Sequence, residues 1–193
     1  MTSTDAVVFV YGTLRPGQPN HVVAARGVAA SVNAHGHGLR LYAAAHRGYP
    51  YATTGDPDDV VVGTLLVLDP RRSAATLQRL DTLEGFDPDH PDRGHYLRRR
   101  WRFTTDQPSG VGPTGTTTEA WVYVAGPRTG LRSLHTIPSG DWLHPTFRPE
   151  RTCTLRSIRG SVALSRGRTT PKRPHTCRSS RVGMSGAASP RRG

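Results

Sequence analysis

Val7-Val8-Phe9-Val10-Tyr11-Gly12-Thr13-Leu14-Arg15-Pro16-Gly17 is a short apolar strand that runs straight into a tight loop. The apolar half predicts a buried strand, ending where Gly12 can take dihedrals closed to other residues and let a ligand approach the main chain. The successive N–H groups that follow are suited to form an anion-binding concavity. A buried strand that opens into exposed backbone marks a candidate site.

Outward from that stretch, the pattern predicts a first strand over residues 6–11 and a short helix from His21 to Arg26, capped by Asn20 and closed by Gly27. Residues 28–42 alternate loosely and predict one long strand bent at its glycines. Residues 48–58 carry Gly, Pro and Asp and predict a loop, and Val60–Leu68 predicts a β-branched strand. Asp69-Pro70 then reads as cap and first position of a helix reaching Glu84, with Ala74, Leu77 and Leu80 at helical spacing and Gly85 as the stop. After an acidic loop over residues 87–92, strands are predicted at 96–105 and 119–124, and a final ordered turn at 137–143. Strands dominate, connections are short, and strands and helices do not alternate. The expected fold class is α+β, with a mainly antiparallel, barrel-like mixed sheet and a few short helices.

Charge divides the chain. Residues 1–150 hold 15 of the 26 Lys+Arg and all 14 Asp+Glu, whereas the last 43 residues hold 11 basic groups and no acid. The net charge of +12 is therefore almost wholly a property of the tail. We expect a domain over residues 1–148, large enough to bury roughly two-thirds of its unfolded surface, and an Arg-rich tail over 149–193 with too few apolar groups to order. Limited trypsinolysis checks this, a tail as resistant as the domain being the contrary result. The tail holds both cysteines, Cys153 and Cys177, so the expected domain has neither a disulfide framework nor a cysteine metal site. Asp5 stands where a secretory leader carries positive charge, and the apolar run from Ala6 to Tyr11 is too short for a leader core or a membrane span. The expectation is a soluble, cytoplasmic protein.

Several signals invite chemistry and fall short of it. His35-Gly36-His37 puts two imidazoles on one strand face, but no carboxylate or cysteine pair completes a ligand set, and we expect no metal. Asp87, Asp89 and Asp92 lack the glycine and terminal glutamate of a calcium loop. Arg98-Arg99-Arg100 reads as a solvated strand face. No Walker loop and no Gly-x-Ser-x-Gly occurs. Glu84 stands apart, because the end of a helix disfavours a second negative charge and Leu83 and Phe86 can strip its water, and both effects raise a carboxyl pKa.

Tyr11-Gly12-Thr13-Leu14, Leu80-Asp81-Thr82-Leu83-Glu84-Gly85, Tyr96 with Arg98, and Ser139-Gly140-Asp141-Trp142 together give a chain that resembles the gamma-glutamylcyclotransferase family, in particular its AIG2-like and gamma-glutamylamine cyclotransferase branches. The resemblance spans residues 6 to about 144. It implies an intramolecular aminolysis without a cofactor, in which the α-amine of a small γ-glutamyl amine or amino acid attacks its own side-chain carbonyl to give 5-oxoproline and a free amine. Glu84 occupies the position of the family's catalytic base, and Tyr11, Gly12, Thr13 and Leu14 that of its substrate-binding loop. Tyr96 is expected to meet the substrate's polar head or orient Glu84, or else to be a core aromatic, and Tyr51 and Trp142 are expected near the pocket. The expected partner is a small γ-glutamyl compound, with no membrane and only weak, non-specific nucleic-acid contact through the tail. The competing reading is an AIG2-like protein that binds such metabolites without turnover.

Overall fold

Strand β1 (Val7–Val10) is buried at every position, because its alternate side chains enter two different cores. The structure, a computed structural model, describes residues 7–44, 48–108, 111–131 and 134–145. The expected tail over 149–193 lies outside the described residues. In chain order the elements are β1, α1 (Val22–Ala25), β2 (Val28–His37), β3 (Leu39–Ala44), β4 (Tyr49–Thr54), β5 (Val60–Leu68), α2 (Ser73–Glu84), β6 (Tyr96–Thr105), β7 (Thr117–Ala125) and β8 (His135–Thr136).

Five strands close into a barrel in the order β1-β5-β2-β6-β7, and β4-β3-β8 form a separate three-stranded sheet. Barrel neighbours are antiparallel except at the seam, where β1 runs parallel to β7 with Val8 opposite Trp121 and Phe9 opposite Val122. The fold is thus α+β with a closed, mixed, mainly antiparallel sheet. Val7, Phe9, Val32, Leu65, Phe103 and Val122 belong to one core, where the rings of Phe9 and Phe103 stack at 3.8 Å, and that core extends to Leu39 and Leu41 of β3. Val8, Val10, Leu66 and Leu68 join Ala24 of α1 and Leu80 of α2 in the second, which seats the helices on the barrel wall.

Four expectations are corrected. The long strand over 28–42 is two strands in two sheets, split at Gly38, whose φ of +74° only glycine adopts readily. The loop expected over 48–58 contains β4. Strand β4 pairs with β3 alone, and an edge strand tolerates Pro50, whose missing N–H made the segment read as loop. Helix α2 starts at Ser73 rather than Pro70, because Asp69 caps a turn instead: its carboxylate accepts from Arg71 N at 2.9 Å and its carbonyl from Arg72 N at 2.9 Å. The buried face of α2 is Thr76 and Leu80, while Ala74 is exposed. Asn20 does not cap α1; it sits in a 3₁₀ turn, Pro19–His21, and donates from Nδ2 to Thr13 Oγ1 at 3.0 Å. Among the described residues no helix is long and apolar enough to cross a membrane.

Candidate active site

The last turn of α2 is fixed by its cap. Gly85 adopts φ +64° and ψ +33°, its N–H reaches Thr82 O at 3.3 Å, and Phe86 N donates to Asp81 O at 2.9 Å. This left-handed termination satisfies the carbonyls of Asp81 and Thr82 and makes Glu84 the last helical residue. Glu84 lines a cavity of about 350 Å³ that is also lined by Tyr11, Gly12, Thr13 and Leu14, which follow β1. Its carboxylate has no hydrogen bond or ion pair among the described residues. Burial pushes its pKa up to about 7.

The loop after β1, which lines the same cavity, is held by its carbonyls. Arg15 N donates to Gly12 O at 3.1 Å, Asn20 N to Thr13 O at 3.0 Å, and the His21 ring, through Nδ1, to Leu14 O at 3.0 Å. Arg15 also bonds Asp141 at 2.9 Å, which ties the loop to the turn after β8. The N–H groups of Gly12, Thr13 and Leu14, by contrast, meet no acceptor among the described residues. The loop therefore spends its acceptors internally and leaves three consecutive donors for something else.

Five of the chain's six tyrosines line this cavity: Tyr11, Tyr49, Tyr51, Tyr96 and Tyr123. The Tyr11 hydroxyl is committed, donating to Tyr123 O at 2.7 Å and accepting from Ala52 N at 3.2 Å. Tyr96 donates to Pro50 O at 3.0 Å and stacks on Tyr51 at 4.9 Å between centroids. The phenols of Tyr11 and Tyr96 are both held neutral, first by burial and further by the charge of Glu84. Burial, then Asp81, does the same for Tyr123, with Glu84 a smaller contributor. Glu84 shares the lining of one cavity with all three phenols.

The expected site residues Glu84, Tyr11, Gly12, Thr13, Leu14 and Tyr96 thus share one cavity, and Tyr51 joins them. Trp142 does not; it packs against the core around Phe9. Arg98 is not part of a solvated face, because it is half-buried and ion-paired with Asp81 at 2.7 Å. The sequence reading quoted Asp81 in its motif without a role and missed Tyr49 and Tyr123; the spacing of two between Tyr49 and Tyr51 was the available signal for the strand that carries that pair. His35 does have a carboxylate, Asp106 at 2.7 Å, but no group of three metal-capable side chains forms among the described residues. Asp87 and Asp89 satisfy their own loop, with Asp89 N donating to Asp87 at 2.9 Å.

Comparison with known proteins identifies the family and the fold. The family model described as gamma-glutamyl cyclotransferase, AIG2-like, matches residues 8–144. An AIG2-like protein of Mus musculus has a similar fold, with TM-score 0.52 and 23% identity over 74% of this chain and 88% of that one. A solution structure of A2LD1 is 26% identical over 80% of this chain and 97% of that one, at TM-score 0.48. YkqA of Bacillus subtilis is 25% identical at TM-score 0.48, over 71% of this chain but only 39% of YkqA. No curated protein matches the chain. With well over half of its length matched by the family model, the chain belongs to the AIG2-like gamma-glutamyl cyclotransferase family.

Proposed function

We propose that this protein is a cyclotransferase that converts a small γ-glutamyl amine or γ-glutamyl amino acid into 5-oxoproline and a free amine, with Glu84 as general base. Nucleophile and electrophile lie in one molecule, so the protein has three tasks: to fold the substrate, to take a proton from its ammonium and to stabilise an oxyanion. The carboxylate of Glu84 accepts the ammonium proton, and the freed amine attacks the γ-carbonyl carbon. The oxygen of the tetrahedral adduct becomes negative. The adduct then collapses with loss of the amine, and over the whole cycle two protons pass from the attacking nitrogen to the departing one, with Glu84 returned to its starting state.

The observation that carries this reading is a solitary carboxylate, raised to about 7, in the same cavity as three unused amides. An ordinary Glu lies about 4 units below an α-amine near 8, an uphill transfer of roughly 5 kcal/mol. At about 7 the deficit shrinks to roughly 1.4 kcal/mol, within reach of a working base. The amides of Gly12, Thr13 and Leu14 take the substrate's α-carboxylate or the developing oxyanion, and the tyrosines exclude water around them. Tyr96 acts through Pro50 and Tyr51 as a wall of the pocket.

The test is incubation of the purified protein with γ-glutamyl-ε-lysine and quantification of 5-oxoproline. Wild type is expected to release it, and Glu84→Gln to lose at least about 100-fold in kcat, the scale of general-base catalysis. Undiminished turnover by Glu84→Gln sinks the mechanism, since an amide cannot take the proton. Thermal stabilisation by γ-glutamyl compounds without any product would instead favour a binding protein.

A further inference from the structure

Asp81 lies three residues before Glu84 on α2, so the two share a helix face. Its carboxylate accepts from Arg98 Nη1 at 3.0 and 2.7 Å and from the Tyr123 hydroxyl at 2.7 Å. The Arg98 guanidinium also lies over two rings, 5.2 Å from the centroid of Phe86 and 4.8 Å from that of Trp121. Phe86 is part of the cap that ends α2 at Glu84. A cation is therefore packed against the turn that carries the base, and its partners are Asp81, Phe86 and Trp121 rather than Glu84. The Tyr123 hydroxyl that donates to Asp81 belongs to a residue that lines the same cavity as Glu84.

We infer that Asp81 is a positioning residue: by fixing Arg98 against itself and the two rings, it keeps that cation off Glu84 and leaves the base without a counter-ion in the cavity. The inference rests on the reading of Glu84 as base. An opposite charge within about 4–6 Å lowers a carboxyl by 1–3 units, enough to return Glu84 to an ordinary, ineffective acid. No Arg or Lys lines the cavity among the described residues, and the titratable groups that do, besides Glu84, are Tyr11 after β1, Tyr49 and Tyr51 of β4, His95 before β6, Tyr96 of β6 and Tyr123 of β7. Of these, Tyr11, Tyr96 and Tyr123 are kept neutral by burial and bring no positive charge.

Carbon-13 labelling of the glutamate carboxyls makes this measurable, since the chain has only Glu84, Glu119 and Glu150. The signal missing in Glu84→Gln assigns the base. In the wild type its midpoint is expected near 7. Asp81→Asn is expected to lower it by one to three units, as Arg98 turns to Glu84, and to cut kcat about tenfold with KM little changed. Arg98→Met leaves Asp81 in place with its negative charge, so its midpoint is expected at or above that of wild type, and Asp81→Asn with Arg98→Met together is expected to return to it. A merely structural ion pair would move the two single variants in the same direction. A midpoint unmoved in Asp81→Asn, or one lowered in Arg98→Met, overturns the inference, and the second variant serves if the first does not fold. A wild-type midpoint near 4.5 overturns the base itself, a failure visible before any variant at Asp81 is made.

Discussion

Gly12 and Pro50 touch so closely that a Cβ at residue 12 would lie 2.8 Å from both Cγ and Cδ of the proline ring. The loop after β1 and the edge strand β4 therefore form one wall of the cavity, and Tyr96 pins that wall from behind through its bond to Pro50 O at 3.0 Å. Gly12→Ala must push the ring or the loop aside. We predict a loss of about 100-fold in kcat/KM, the scale for displacing one oxyanion donor, with the fold retained. Steady-state kinetics with γ-glutamyl-ε-lysine check it, and an alanine variant as active as wild type would remove the amides from the mechanism.

The two buried phenols have different structural weight. Tyr11→Phe leaves the Ala52 N–H without its partner and Tyr123 O without its donor, whereas Tyr96→Phe strands only Pro50 O. Each orphaned buried group costs about 1–3 kcal/mol, so Tyr11→Phe is expected to be the more destabilising by about 1–2 kcal/mol. Urea midpoints at unchanged slope measure the difference, and equal midpoints would contradict the assignment of two bonds to Tyr11.

Glu84 weakens the fold it serves. Its folded pKa, about 7, lies above the unfolded value of 4.5, so between those pH values the native state binds the proton more tightly. Stability contributed by the protonated form is complete below pH 4.5 and is lost as pH rises to about 7. At about 1.4 kcal/mol per unit this amounts to about 3 kcal/mol at most. Glu84→Gln is therefore expected to match wild type in acid and to exceed it in stability above pH 7, by denaturant unfolding at several pH values. A difference independent of pH would mean that the carboxylate is well hydrated.

Arg15 and Asp141 are 11% and 17% exposed, between a surface pair worth less than 1 kcal/mol and a buried one whose breakage costs 3–5. Arg15→Met is expected to cost about 2 kcal/mol and, because Arg15 follows the three free amides directly, to reduce kcat/KM as well. Thermal unfolding read beside kinetics tests both; a stability loss with intact kcat/KM would show that the tie serves the fold alone.

Much of this was legible in the chain because the signals were local. The β-branched run of β5, the cap at Gly85 and the Tyr11-Gly12 junction each announce themselves within a few residues, and the expected ends of β5 and β6 agree with the structure. What stayed hidden is decided at a distance. Pro50 argues against a strand until the pairing with β3 shows that β4 is an edge. Arg98 reads as one of three exposed arginines until α2 brings Asp81 against it across 17 residues. The tyrosines of the cavity come from β1, β4, β6 and β7, and only closure of the barrel gathers them.

The pH dependence of kcat/KM for 5-oxoproline formation tests the central claim most directly, since its acid limb reports the base of the free enzyme. The expected limb has its midpoint near 7, the value that burial gives Glu84. A limb near 4.5, or one that persists unchanged in Glu84→Gln, would contradict it.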